Sequence, residues 1–183
     1  ASSYKVGERI LTNQSHQSAF ICHAGEVLGI VPSAIPSETA ALAYLAHLGL
    51  VALERASYQR DEWAGVLGLG PIGLCTVAVV KAMGGRVVAV GNSDVRLAMA
   101  KGFDADLCLK NDDPGLQAKG VPVVVTTVNG WEAWRTAMEF AAPLGRISVL
   151  GFPGRGEAAP KFNPFDSALF YDKQLSIFSA GQL

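Results

Sequence analysis

Short apolar runs of strand length alternate with helix-like segments along most of the chain. We predict a strand at each of six such runs, 64–67, 86–90, 107–109, 121–125, 146–150 and 175–178. The intervening segments predict helices at 72–83, 94–101 and 131–141, a helical turn at 112–119 and a short helix at 165–171. This alternation predicts an α/β fold, a doubly wound parallel sheet of about six strands with right-handed crossovers.

The first 36 residues follow a different pattern. Two short segments, 6–11 and 18–22, contain apolar residues with polar interruptions, and we predict both as β segments. We therefore divide the chain into a small β-rich domain at 1–36 and an α/β domain at 37–183.

The second of these domains opens with a predicted helix. Ser37 can cap its first turn, and the Ala- and Leu-rich run that follows reaches Leu53. Because this run is apolar on nearly all sides, we expect the helix to be buried. His47 lies inside it, and we interpret it as a packed helix histidine rather than a ligand near a cofactor.

Composition excludes several classes of function. Half of the 183 residues are hydrophobic, 17% are charged and the net charge is -1, a balance that suits a sheet buried on both faces. No cluster of Lys and Arg indicates a nucleic-acid partner, and no apolar stretch predicts a membrane span or a signal peptide. Cys22, Cys75 and Cys108 lie far apart, which argues against a disulfide framework and favours a cytoplasmic protein. Cys22 and His23 could form half of a metal site, but packing at a strand end explains them more simply.

A Gly-Leu-Gly-Pro-Ile-Gly motif lies between the first two strands of the predicted sheet. Gly68 permits a tight turn, Gly70 lets the backbone approach a pyrophosphate, and Gly73 lets the following helix pack closely on the sheet. Pro71 and Ile72 open that helix, whose free N–H groups favour a diphosphate. Since the motif follows a strand and opens a helix within one βαβ unit, it predicts a Rossmann fold that binds a nicotinamide dinucleotide, although an ordinary Gly-rich turn is the alternative.

The end of the second strand indicates which dinucleotide is bound. A site specific for NAD usually carries an acid there, which accepts hydrogen bonds from the ribose 2′-OH, but this chain has Gly91. Asn92 and Ser93 can donate hydrogen bonds to a 2′-phosphate, and Arg96 lies one helical turn further on. We interpret Asp94 as a helix cap. The pattern favours NADP(H) over NAD(H).

A series of segments resembles the cofactor domain of the medium-chain dehydrogenase/reductase superfamily over about residues 5–180. These segments are 35–41, the glycine motif at 68–73, the strand at 87–90, 96–101, Ala105-Asp106 and 145–151. The proline after the second glycine is similar to the zinc alcohol and polyol dehydrogenase branch.

The resemblance implies further contacts with the cofactor. Thr126 and Thr127, in the turn after the fourth strand of the sheet, would line the cofactor cleft. Gly151 and Phe152, after the fifth strand, would meet the nicotinamide end through backbone groups. Residues 179–181 would lie close by. The alternative is that all three are ordinary turns at strand ends.

The chain also departs from the pattern of the superfamily. It has no Gly-His-Glu segment and no four-cysteine zinc loop, and residues 1–36 resemble only the final strands of the catalytic domain. We therefore expect about half of a family member, with no catalytic residue and no zinc bound by this chain. The small-molecule substrate, an alcohol or carbonyl compound, would be bound through the missing domain.

Two functions remain open. The first is the cofactor-binding part of an alcohol dehydrogenase-like oxidoreductase, and the second is a non-catalytic NADP(H)-binding sensor. Gly91 argues against a methyltransferase, and the absence of a Lys four residues after any Tyr argues against a short-chain dehydrogenase. The apolar edge strand Leu175–Phe178 predicts a homodimer formed by strand addition, as family members commonly do.

Overall fold

The computed structural model describes residues 4–154 and 156–181. It divides the chain into two compact units, Ala1–Tyr44 and Leu45–Leu183.

The first unit contains an antiparallel pair of short strands, β1 (Ile10–Thr12) and β2 (Val27–Ile30). The prediction of a strand at 18–22 is therefore wrong, and the strand that pairs with β1 is β2. A short 3₁₀ helix at Ala24–Glu26 precedes β2, and the Glu26 carboxylate accepts a hydrogen bond from the His23 N–H at 2.6 Å. β2 begins directly after this turn, where Val27 pairs with Thr12 of β1.

The long helix that we predict from Ser37 is interrupted. The structure has α1 (Ser37–Ala41) and α2 (Ala43–Arg55), with a break at Leu42, whose N–H bonds to the Thr39 carbonyl in a tighter turn. Pro36, not Ser37, occupies the cap position of α1. His47 is exposed in α2 rather than packed.

The second unit contains a six-stranded parallel sheet, which confirms the predicted α/β fold. Its strands are β3 (Trp63–Leu67), β4 (Arg86–Val90), β5 (Leu107–Leu109), β6 (Val121–Thr126), β7 (Ala141–Val149) and β8 (Ser176–Ser179). They lie in the order β5-β4-β3-β6-β7-β8. The first of them along the chain, β3, therefore lies in the middle of the sheet, with β4 and β5 added on one side and β6, β7 and β8 on the other.

Helices follow each strand except the last two. They are α3 (Pro71–Ala82), α4 (Asp94–Gly102), α5 (Gly115–Lys119) and α6 (Trp131–Phe140), and a π-helical turn at Ser167–Tyr171 precedes β8. In the part of the chain that the structure describes, no helix combines the length and the apolar character that crossing a membrane requires.

Both faces of the sheet are buried. Successive residues of β3, such as Val66 and Leu67, belong to two separate apolar clusters. One cluster includes residues of α2 and α3, and the other includes residues of α6. Gly65 is needed in β3 because a side chain there would strike the ring of Phe140. Since helices cover both faces, the strands are apolar at almost every position.

Candidate cofactor site

Four adjacent strands, β4, β3, β6 and β7, end at the same edge of the sheet, because parallel strands share one direction. The residues that we predict to bind the cofactor lie at this carboxyl edge and at the helix starts that follow it. They are Gly68, Gly70, Pro71, Ile72, Gly73, Gly91, Asn92, Ser93, Arg96, Thr126, Thr127, Gly151 and Phe152. The structure therefore brings together segments that are up to 84 positions apart in the sequence (68 to 152).

The turn after β3 depends on glycine at two positions. Gly68 has a φ of 93°, and its N–H donates to the Val90 carbonyl at 2.9 Å. A side chain at Gly68 would be strained and would strike Val128 and Thr127. A side chain at Gly73 would strike the Gly68 carbonyl oxygen, so glycine there lets α3 pack against the turn.

Gly70 leaves open space in front of α3. A Cβ atom at Gly70 would meet no atom within 4 Å, although its carbonyl accepts a hydrogen bond from the Leu74 N–H at 2.9 Å. The first-turn N–H groups of Ile72 and Gly73 have no acceptor within the helix. An open space faced by free N–H groups and the positive end of a helix fits a pyrophosphate.

Backbone hydrogen bonds join the turns after β6 and β7 to the glycine turn. Thr127 donates through its N–H to the Leu67 carbonyl at 3.0 Å and through Oγ1 to the Gly68 carbonyl at 2.9 Å. The Gly151 N–H donates to the Thr126 carbonyl at 3.1 Å, and a Cβ at Gly151 would lie 2.6 Å from the Val128 nitrogen. The turns therefore form one continuous edge.

Two side chains at this edge have features of a ligand-facing surface. Thr126 is buried, and its Oγ1 has no hydrogen-bond partner among the described residues. Phe152 is 56% exposed, so its ring is accessible to a ligand.

The turn after β4 is packed closely against Leu69 at Gly91. The Gly91 N–H donates to the Leu109 carbonyl at 3.1 Å, and a Cβ at Gly91 would lie 3.2 Å from Leu69 Cδ1. Asn92, Ser93 and Arg96 are exposed. These three side chains are therefore accessible to a ligand.

Lys110 is a charged residue at this turn that sequence reasoning missed. Its Nζ lies 2.5 Å from Asp94 Oδ1 and 3.2 Å from the Asn92 carbonyl. Val90 of β4 pairs with Leu109 of β5, so the residue after β5 stands beside the residue after β4. The parallel pairing of these two predicted strands was the signal that could have found it. Asp94 is the first residue of α4 and not its cap, which is Ser93.

Cysteine, histidine and acidic residues do not form a metal centre in the described ranges, where no group of three or more could hold an ion. Cys22 is half-buried and His23 is exposed, and neither lies in a strand. Burial raises the pKa of the Cys75 and Cys108 thiols, which disfavours the reactive thiolate form.

Comparison with known proteins identifies the family. Residues 71–181, more than half of the chain, match the model of a family described as zinc-binding dehydrogenase. The chain is 31% identical over 143 residues to an NADP-dependent isopropanol dehydrogenase of Thermoanaerobacter brockii, covering 73% of this chain and 41% of that protein. It is 25% identical over 158 residues to a sorbitol dehydrogenase of Bacillus subtilis, covering 81% and 43%. The chain thus spans less than half the length of these curated relatives.

Solved structures support the same fold. L-idonate 5-dehydrogenase from Escherichia coli superposes with a TM-score of 0.74 at 21% identity, covering 87% of this chain and 46% of that one. 2R,3R-butanediol dehydrogenase from Bacillus subtilis gives 0.70 at 22%, covering 85% and 45%. The chain belongs to the zinc-binding dehydrogenase family within the medium-chain dehydrogenase/reductase superfamily, and it matches the cofactor-binding half of that superfamily.

Proposed function

We propose that this chain binds NADP(H) as part of an alcohol dehydrogenase-like oxidoreductase acting on a small alcohol or carbonyl substrate. The observation that carries the proposal is the open space beside Gly70, the residue that caps the start of α3, in a chain of this family. When bound, the nicotinamide accepts or supplies the hydride. The residues of this chain bind and orient the cofactor.

The assignment of residues follows their order along the carboxyl edge. The front of α3, with Gly68, Gly70, Pro71, Ile72 and Gly73, would hold the pyrophosphate. The turn after β4, with Gly91, Asn92, Ser93 and Arg96, would hold the adenosine ribose and its 2′-phosphate. Thr126 and Thr127 would line the cleft, and Gly151 and Phe152 would meet the nicotinamide end.

The preference for NADP(H) is supported by charge. The residue after β4 is Gly91, so no carboxylate at that position repels a 2′-phosphate, and the exposed Arg96 adds a positive charge nearby. The relative from Thermoanaerobacter brockii is described as NADP-dependent.

The wider setting is also part of the proposal. Residues 1–36 would correspond to the final strands of a catalytic domain. The substrate and any catalytic zinc would be bound outside this chain, which alone would bind cofactor without turnover. β8 lies at the edge of the sheet, which supports a homodimer through this strand, as predicted for Leu175–Phe178. The unpaired cysteines support a cytoplasmic location. The comparisons give no support to the sensor alternative.

Calorimetric titration of the chain with NADP⁺ and with NAD⁺ tests the proposal. We expect both to bind, NADP⁺ more tightly, and we expect Gly70→Ala to weaken both by about tenfold or more by filling the space needed by the pyrophosphate. Gly102→Ala is the matched control, because a Cβ there also meets no atom within 4 Å. Absence of binding, or an equal effect of both substitutions, would contradict the site, and tighter binding of NAD⁺ would contradict the preference.

A further inference from the structure

The ion pair between Lys110 and Asp94 is placed at the surface of the turn after β4. The Lys110 side chain is 42% exposed and the Asp94 side chain is 86% exposed. Ion pairs this exposed contribute little to folding stability, because water screens both charges. The pair therefore has little effect on folding, but its position beside Gly91, Asn92 and Ser93 allows it to act on a ligand at this turn.

Asp94 is a negatively charged group at this turn, and its charge opposes an anionic ligand. It stands immediately after Ser93 and begins α4, so its carboxylate would repel a phosphate bound against Asn92 and Ser93. Lys110 offsets this charge by direct contact with Asp94 Oδ1. Arg96, two residues after Asp94, adds a second positive charge near this turn.

The lysine also retains the capacity to bind a ligand itself. An ammonium group has three N–H donors. In the structure Lys110 Nζ donates a hydrogen bond to the Asn92 carbonyl at 3.2 Å and lies 2.5 Å from Asp94 Oδ1 as an ion pair. The bond to Asn92 holds Nζ at the turn, and an ammonium with three N–H donors has the capacity to bind a further acceptor there.

We propose that Lys110 is a specificity-determining residue, which selects the 2′-phosphorylated cofactor by neutralising Asp94 and donating to the phosphate. This inference rests on the proposed function, because it requires the ribose of the dinucleotide to lie at this turn. It adds the residue that follows β5 to a subsite that the sequence places entirely after β4.

Calorimetric titrations of four variants with NADP⁺ and NAD⁺ test the inference. We expect Lys110→Met to weaken NADP⁺ binding by about tenfold and NAD⁺ binding by less than about twofold, because only the former carries the phosphate. Lys110→Arg should retain most of the preference. Asp94→Asn should tighten NADP⁺ binding by about threefold, since it removes the opposing charge. Lys101→Met is the control. It also removes one lysine charge, at the position seven residues after Asp94 in α4, and it should change neither the NADP⁺ affinity nor the NAD⁺ affinity.

Salt provides a second readout. The ratio of the two affinities in the unsubstituted chain should fall between about 50 mM and about 500 mM salt, because the added contact is ionic. The inference is overturned if Lys110→Met weakens both dinucleotides equally, which would mean that the lysine only holds the turn. If the unsubstituted chain binds neither dinucleotide, the proposed function itself fails, and this inference falls with it.

Discussion

The amino ends and the carboxyl ends of the six parallel strands, here called the amino edge and the carboxyl edge of the sheet, are held together by different kinds of contact. At the amino edge, long charged side chains tie the strand starts together. The Arg86 guanidinium donates to the Asp61 carbonyl at 2.7 Å, and Arg146 donates to the Ser57 carbonyl at 2.8 Å and forms an ion pair with Glu62. At the carboxyl edge the strand ends are joined mainly through glycines and backbone groups.

This difference separates stability from binding within one sheet. Trp63 at the start of β3 is covered by two cations, the Arg86 guanidinium at 5.0 Å and the Lys119 ammonium at 3.8 Å from the ring centroid. Such contacts satisfy polar groups within the protein and leave few of them for a ligand. The front of α3 keeps its N–H groups available, so we expect substitutions at the amino edge to change folding stability and substitutions at the carboxyl edge to change affinity.

Lys173 provides the strongest test of the amino edge. Its Nζ donates to the carbonyls of Met138, Glu139 and Ala141 at 2.8, 2.9 and 2.8 Å, which joins the end of α6 to the start of β7. We expect Lys173→Met to lower the free energy of unfolding by about 3 kcal/mol, because three carbonyls lose a charged donor. Urea unfolding measures this change.

Lys161→Met is the control for this prediction, because Lys161 is exposed and its replacement removes the same charge. We expect its unfolding free energy to stay within about 0.5 kcal/mol of the unsubstituted chain. The dissociation constant for NADP⁺ should be the same in both variants when they are folded. A large loss of affinity in Lys173→Met would break the separation between the two edges.

Gly91→Asp tests the carboxyl edge by adding the acid that this chain lacks. Leu69 is the neighbour that must move, since a Cβ at Gly91 would lie 3.2 Å from its flexible Cδ1. We expect NADP⁺ to bind about tenfold more weakly, about 1.4 kcal/mol, and NAD⁺ to bind more tightly through its ribose 2′-OH. Calorimetry measures both constants, and Gly102→Asp is the control for the added charge. An unchanged ratio of affinities would place the ribose elsewhere.

The parallel sheet could be predicted because its signal is local. The inner strands are buried on both faces, so the run Arg86–Val90 is apolar at nearly every position and its bounds are those predicted. β7 begins at Ala141, five residues before the predicted start, because Ala141 pairs with Val121 and the Leu144 N–H donates to the Lys173 carbonyl at 2.7 Å. That extension depends on distant partners, which the residues of the strand do not reveal.

Elements that depend on a partner could not be predicted in the same way. β2, Val27–Ile30, is only partly covered, and its bounds are set by pairing with β1 rather than by its own composition. Lys110 lies at the site because Leu109 of β5 pairs with Val90 of β4, whereas the glycines at 68–73 form a motif that the sequence alone shows. A phosphate-binding loop can be predicted because its residues are neighbours in the sequence. A residue such as Lys110, which joins the site from a neighbouring strand, can be predicted only once the order of the strands is known.

Asp106 provides the smallest test of the amino edge, and its effect depends on pH. Its carboxylate accepts hydrogen bonds from the Val87 N–H at 2.8 Å and from Lys81 Nζ at 2.9 Å. Burial raises the pKa of this carboxyl, but the Lys81 hydrogen bond, the Val87 hydrogen bond and the attraction of Lys81 together bring the pKa below 3.8. A carboxyl whose pKa is lowered by folding stabilises the protein above its unfolded pKa, and this stability is lost as the pH falls through the folded pKa.

Asp106→Asn should therefore destabilise the chain by about 1 kcal/mol near neutral pH, since both partners are partly exposed. The difference from the unsubstituted chain should shrink as the pH falls below 3.8, because protonation removes the same charge. Asp104→Asn is the control, since Asp104 is exposed with a φ of 61°, which Asn also tolerates. Urea unfolding at several pH values measures the difference, and a constant difference across the acid range would mean that Asp106 acts through its shape and not its charge. The affinity for NADP⁺ should not change in either variant, because Asp106 precedes β5 at the edge opposite the glycine turn.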